Sequence, residues 1–143
     1  MCIKQISVIL DNVPGMFLSV SECLARENIN IRAISVADTS STSTVRFVTD
    51  NPVKTLSVLR SNNYKVLEND VIAVEIPDHP GALRAVLKPL KEANINVLYF
   101  YTHLGRGESG QPIVIIGVDR TEEAAEALKK NWVYTLGNEL YTL

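Results

Sequence analysis

The chain has 143 residues, of which 46% are hydrophobic and 21% charged, and its formal net charge is −2. This composition is typical of a globular protein, and the small negative charge gives no electrostatic reason to expect binding to nucleic acid or to an anionic membrane. The apolar runs of the sequence, such as residues 113–116, are too short to span a bilayer, and two cysteines without a signal-peptide core predict a cytoplasmic protein with reduced thiols.

Two short motifs occur twice at the same spacing. Asn12-Val13-Pro14-Gly15 returns as Asp78-His79-Pro80-Gly81, and Asn28-Ile29-Asn30-Ile31 returns as Asn94-Ile95-Asn96-Val97. Both pairs are separated by 66 positions. Two matches at one offset indicate an internal duplication, with a first repeat over residues 1–69 and a second over residues 70–143.

Hydrophobic periodicity predicts the same order of elements in each repeat: strand, helix, strand, strand, helix, strand. In the first repeat we expect strands at 3–10, 31–37, 45–48 and 64–67, and helices at 14–27 and from Pro52 onward. In the second we expect strands at 71–76, 95–104, 113–118 and 133–136, and helices at 80–93 and 121–131. Residues 39–43, which include Ser40, form a predicted polar turn. The pattern of residues 137–143 does not decide their secondary structure, and a short edge strand is one alternative.

The joint between the repeats is only Glu68-Asn69-Asp70. We expect this segment to separate two strands. It also permits a hairpin that pairs the last strand of one repeat with the first strand of the next. A βαββαβ unit folds as an antiparallel sheet with both helices on one face, the ferredoxin-like arrangement. The predicted fold class is therefore α+β, with two tandem ferredoxin-like repeats.

The loop that opens each first helix has the residues of an anion site. An alternating apolar strand ends in Asn12 or Asp78, which we expect to cap the helix, with Pro two positions on and Gly after it. Free backbone N–H groups at such a helix start attract anions. The alternative is that this motif only caps a helix and binds no ligand.

Other signals do not indicate catalysis or a cofactor. The glycines of Gly105–Gly110 resemble a dinucleotide loop, but they lead into a strand, whereas that motif must open a helix. The two histidines and two cysteines lack metal-ligand spacing, and no nucleophile is placed with a base and an acid. We expect no enzyme activity, no cofactor and no metal.

The motifs together resemble the ACT domain, a small regulatory fold that binds amino acids. The resemblance rests on a strand, then Asp-x-Pro-Gly, then a helix, then Asn-Ile-Asn-Ile at the second strand, and it covers nearly the whole chain as two tandem ACT-like repeats. The second copy matches more closely, because the first carries Asn12 where the pattern has Asp. Asn can still donate to a carboxylate, but it brings no charge to hold an ammonium group.

The resemblance implies a ligand site between ACT units, where the loop before the first helix meets the start of the second strand of a neighbouring unit. Carried onto this chain, the candidate residues are the two loops and the asparagines: Asn12, Val13, Pro14, Gly15, Met16, Asn28 and Asn30 in the first repeat, and Asp78, His79, Pro80, Gly81, Ala82, Leu83, Asn94, Ile95 and Asn96 in the second. The alternative for the asparagines is that they are turn residues that tolerate a left-handed backbone.

The expected function is that of a stand-alone regulatory protein that binds a small free amino acid, forms a homodimer and acts on a separate metabolic enzyme or transporter. The competing hypothesis is a structural pairing module that has kept the fold and lost the ligand. The sequence does not identify the amino acid, the number of filled sites or the partner.

Overall fold

The structure, a computed structural model, describes residues 2–39 and 41–143, so Met1 and Ser40 of the predicted polar turn lie outside it. The elements of these ranges, in chain order, are β1 (Ile3–Asp11), α1 (Met16–Arg26), β2 (Ile31–Asp38), β3 (Thr42–Thr49), α2 (Pro52–Ser61), β4 (Lys65–Glu75), α3 (Ala82–Glu92), β5 (Val97–Arg106), β6 (Pro112–Val118), α4 (Thr121–Lys130) and a short 3-10 helix (Asn138–Thr142). No helix of the described residues is both long enough and apolar enough to cross a bilayer.

The chain divides into two compact units. The first unit is Lys4–Asn69, and the second is Asp70–Leu143 together with Cys2 and Ile3. The division between Asn69 and Asp70 falls where the duplication places the start of the second repeat.

The first unit has an antiparallel sheet in which β3 pairs with β1 on one side and β2 on the other. Alternate residues of a strand share one face. On one face of this sheet, apolar residues of β1 and β3 pack with residues of α1 and α2 in a single cluster: Ile6, Val8, Leu10, Val20, Cys23, Leu24, Ile29, Val45, Phe47, Leu59 and Val66. Both helices therefore cover the same face of the sheet, as the βαββαβ order predicts.

The second unit repeats this plan with β6 between β4 and β5. Its apolar cluster joins alternate strand residues to α3 and α4: Ile72, Val74, Val86, Leu90, Ile95, Val114, Ile116, Val118, Ala124 and Leu128. The α+β class and the placement of both helices on one face are confirmed for each unit.

The duplication extends to an irregularity in strand pairing. In the first unit the register shifts between Ile31 and Ala33, and in the second between Val97 and Tyr99. These positions correspond at the offset of 66. A β-bulge bends and twists its strand at a fixed place, so the two repeats share strand geometry as well as motifs.

Two predicted features of the strands are wrong. The segment Glu68-Asn69-Asp70 does not separate two strands, because β4 runs as one strand from Lys65 to Glu75, which leaves no hairpin at this joint. The segment contains neither Gly nor Pro, and exposed polar residues can continue a strand.

The predicted closing strand at 133–136 is reduced to one bridge between Val74 and Thr135, supported by the bond from the Leu136 N–H to the Ala73 carbonyl at 2.8 Å. The tail then forms the 3-10 helix, with Leu140 fully buried. The second repeat thus departs from a complete βαββαβ unit at its end.

Candidate functional site

Each candidate loop turns into its helix at a left-handed glycine. Gly15 has φ of 86° and Gly81 has φ of 84°, and each is the N-cap residue of its helix. Neither cap has a side-chain hydrogen bond, so the expected capping by Asn12 and Asp78 is wrong. The helices begin at Met16 and Ala82 and not at the prolines, which lie in the turn before them.

The space beside both glycines is open. A Cβ built on Gly15 or Gly81 would meet no atom within 4 Å. The first N–H groups of a helix have no intrahelical acceptor, and here no side chain caps them. In the second loop, the Ala82 N–H donates to the His79 carbonyl at 3.2 Å and is used within the loop itself.

The loop side chains differ in exposure. Asn12, Pro14, Asp78, His79 and Pro80 are exposed, together with Val13, which is 54% exposed. Met16 and Leu83 are half-buried, and Ala82 is buried. Ala82 and Ile95 are therefore core residues of the second unit, and their N–H groups donate within it, to the carbonyls of His79 and Leu90.

His79 is held by its own loop. Its Nδ1 lies 2.9 Å from the Pro80 carbonyl oxygen, which can only accept, so Nδ1 carries the proton. A neutral His79 then presents Nε2 as an acceptor at the exposed edge of the loop.

Asn28 and Asn94 end their helices in left-handed conformation, with φ of 56° and 58°. In the first helix the Asn28 N–H donates to the Ala25 carbonyl and the Ile29 N–H to the Leu24 carbonyl, both at 3.0 Å. This is the Schellman pattern of a helix C-terminus, and α3 repeats it at Asn94. The turn role anticipated as an alternative for these asparagines is thus present.

Asn30 and Asn96 are each joined to an aspartate that sequence reasoning did not select. The Asn30 N–H donates to Asp50 Oδ1 and the Asp50 N–H to the Asn30 carbonyl, both at 3.0 Å. Asn96 and Asp119 form the same reciprocal pair at 3.1 and 3.2 Å. The signal was in the sequence, since Asp50 and Asp119 occupy equivalent positions of the repeats. The pairs fix the backbone and leave both exposed amide side chains projecting from the unit.

Within a unit, the loop and the asparagines lie at opposite ends of the sheet. Asp11, just before the first loop, lies opposite Thr42, whereas Ile31, just after Asn30, lies opposite Thr49. The two ends of β3 are about 24 Å apart at about 3.4 Å per residue. In the second unit the loop follows the end of β4 near Pro112, and Asn96 lies beside Asp119 at the far end of β6. Neither unit therefore brings its own loop and asparagines together.

A cavity of about 390 Å³ in the second unit contains none of these residues. It is lined by Glu75, Glu108, Ser109, Tyr134, Leu136, Glu139 and Leu143. The Tyr134 hydroxyl donates to Glu139 Oε1 at 2.9 Å, which raises the pKa of Tyr134, and the backbone N–H groups of Gly137 and Glu139 lower the pKa of the Glu139 carboxyl. Three carboxylates make this cavity unsuited to an anionic group. No cluster of His, Cys, Asp or Glu suited to a metal occurs in the described ranges.

Comparison with solved structures gives relatives over nearly the whole chain. A Bacteroides thetaiotaomicron protein of known crystal structure is 31% identical, with a TM-score of 0.91, and the match covers 100% of this chain and 98% of that one. The ligand-free regulatory subunit of aspartate kinase from Thermus thermophilus is 18% identical, with a TM-score of 0.62 and coverage of 90% and 91%. The corresponding Thermus flavus subunit is 16% identical, with a TM-score of 0.59 and coverage of 90% and 92%. Among curated proteins, no sequence matched.

The family model described as an ACT domain pair matches residues 1–143. This result agrees with the duplicated loop, the duplicated bulge and the two helix-covered sheets. Because the match spans the whole sequence, the chain belongs to the ACT family, as a pair of regulatory, ligand-binding domains and not as an enzyme.

Proposed function

We propose that this protein is a stand-alone regulator that binds a small free amino acid, with the ligand carboxylate at the helix N-terminus behind Gly15 or Gly81. The observation that supports the proposal most directly is the pair of left-handed glycine caps with open space beside them. Two uncapped helix starts at equivalent positions offer backbone N–H groups and positive dipole ends to an anion.

Magnitudes argue for a pocket with two sides. A charge at a helix N-terminus contributes about 0.3–2 kcal/mol, whereas micromolar binding needs about 8 kcal/mol. The remainder must come from groups that face the loop. The exposed amides of Asn28, Asn30, Asn94 and Asn96 can serve either end of a zwitterion, and since they are remote from the loop of their own unit, we propose that another ACT unit or a second copy of the chain supplies them. A homodimer follows as part of this proposal.

We propose that the Asp78 carboxylate holds the ligand ammonium group in the second repeat. Its counterpart in the first repeat, Asn12, carries no charge. The regulated partner is proposed to be a separate metabolic enzyme or transporter. In support, the Thermus thermophilus protein of the same fold is itself a regulatory subunit, so this fold occurs in chains of that kind.

The test is a thermal-shift panel of the twenty amino acids on the full chain. A ligand at 100 times its Kd stabilises the folded state by about 2.7 kcal/mol, so one or a few amino acids should raise the unfolding midpoint. Their carboxamide derivatives, which lack the carboxylate, should not. If no amino acid changes the midpoint, the competing function, a structural pairing module of the ACT fold, replaces this one.

A further inference from the structure

An apolar groove lies beside the first helix of the first unit. Its volume is about 240 Å³, and its lining comes from α1, β2 and β3: Phe17, Val20, Ser21, Ile31, Ile34, Val36, Val45 and Phe47. Val45 and Phe47 form a fully buried floor, while Phe17, Ile34 and Val36 are 49%, 42% and 47% exposed at its rim. Half-exposed large apolar side chains around a concave site are typical of a surface that receives an apolar group.

The groove begins at the start of the helix that Gly15 opens. Phe17 is the second residue of α1. On the sheet side, Val36 lies opposite Val45, and β3 then continues through Ser43, which lies opposite Leu10 at the end of β1. The groove and the uncapped helix start are therefore neighbouring parts of one surface of the first unit.

The second repeat does not preserve this surface. Its strands share the bulge and the register after it as far as Thr102, which lies opposite Val114; beyond that pair β5 and β6 shift once more. Positions before this second shift can be compared directly. Leu87 stands in place of Ser21 and Phe100 in place of Ile34, and both are larger.

We infer that the first unit takes an amino acid with an aliphatic or aromatic side chain. The ligand carboxylate lies at the start of α1, and the side chain fills the groove. This inference rests on the proposed function and adds the class of ligand and the repeat that selects it. The commitment to an apolar ligand follows from the groove lining, in which Ser21 is the one polar side chain among the eight described.

Calorimetric titration of the full chain tests the ligand class. L-leucine and L-phenylalanine are the apolar probes, and glycine, L-serine and L-lysine are the comparison set. The variant Ile34→Phe introduces the residue of the second repeat and should fill the groove, raising the Kd for the apolar probe at least about tenfold, as expected for losing a buried apolar contact. The reverse change, Phe100→Ile in the second unit, is the matched control and should leave that Kd unchanged.

Ser21→Leu is the second groove-filling variant and keeps the test valid if Ile34→Phe does not fold, because Ser21 lies on an exposed part of α1.

The outcomes are distinguishable. Apolar probes that bind the wild type and lose affinity in the groove-filling variants support the inference. Binding by glycine, serine or lysine alone, or apolar binding that survives both Ser21→Leu and Ile34→Phe, overturns it and leaves the proposed function standing. Failure of all twenty amino acids to bind overturns both.

Discussion

Gly15 and Gly81 show how one residue type can keep a helix start open. Both have φ near +85°, a conformation that costs other L-residues about 1–2 kcal/mol. A side chain at the cap position would also accept hydrogen bonds from the first N–H groups of the helix. Glycine adopts this conformation without that cost and has no side chain to accept those hydrogen bonds. N–H groups at the helix start therefore stay available to another acceptor.

Replacing either glycine by aspartate should therefore close the site from within. The introduced carboxylate of Gly15→Asp or Gly81→Asp can accept the helix N–H groups and repels a ligand carboxylate, so we expect binding at that repeat to fall at least about tenfold, equivalent to 1.4 kcal/mol. Calorimetric titration with the amino acid selected by the thermal-shift panel measures the change.

The matched control is Gly110→Asp. Gly110 has φ of 78° and open space around its Cβ position, as the other two glycines do, but it lies in the β5–β6 hairpin and opens no helix. It should cost similar stability without loss of binding. Equal loss of binding in the control variant would show that backbone strain, and not the carboxylate at the helix start, is responsible.

The identity of the loop residues could be predicted from the sequence, but their hydrogen bonds could not. An Asn or Asp before Pro-Gly is compatible with a side-chain cap at the first residue or with a left-handed glycine cap three residues later. Which one forms depends on how the chain leaves β1, where the Asn12 N–H donates to the Ser41 carbonyl at 3.1 Å. That contact with the β2–β3 connection is not visible in a local pattern.

At the scale of elements, the ends of the helices are more uniform than their starts. All four α-helices of the described residues end with a non-glycine residue in left-handed conformation, namely Asn28, Asn63, Asn94 and Trp132. Asparagine tolerates this conformation better than most residues do. Its presence at three ends accounts for Asn28 and Asn94 as turn residues, but it does not exclude a second role for their amides.

Asn94→Gly and Asn28→Gly separate the two roles. Glycine adopts the left-handed conformation without strain, so stability in urea should be unchanged or higher. If the amides contact a ligand, the Kd for the selected amino acid should nevertheless rise about tenfold, the loss expected for one or two hydrogen bonds.

Asn63→Gly is the control for this pair, because Asn63 ends α2 in the same conformation and was not a candidate for the site. It should leave the Kd unchanged. Unaltered binding in all three variants would show that the asparagines are turn residues only, and the second side of the pocket would have to be sought elsewhere.

The strands show which parts of an element follow from periodicity. Alternation identified the apolar residues Ile6, Val8 and Leu10 of β1, whose face is covered by helices, but it did not identify Gln5 and Ser7 of the other face, which are also buried. It failed at β4, whose polar middle was interpreted as a turn, and at the end of the second repeat, where a single bridge replaces the expected strand. In both places the outcome depends on pairing with residues distant in sequence, which local composition does not encode.

For the whole molecule, the duplication was the most informative feature of the sequence. It predicted two repeats of one fold, and the structure extends the equivalence to strand register and to the reciprocal bonds of Asp50 and Asp119. It did not predict the groove beside α1. That groove is lined in part by Ser21 and Ile34, neither of which belongs to a duplicated motif, so only the folded chain brings them to notice.

The central claim is that a ligand carboxylate is held by the backbone N–H groups behind Gly15 or Gly81. The most direct measurement is the change in backbone amide chemical shifts when the ¹⁵N-labelled chain is titrated with the amino acid that gives the largest thermal shift. We predict the largest changes at the first-turn amides of α1 or α3, beginning at Met16 or, because the Ala82 N–H donates to the His79 carbonyl, at Leu83, with saturation at the calorimetric Kd. Saturable changes confined to other parts of the chain, with the first turns of both helices unaffected, would contradict the account.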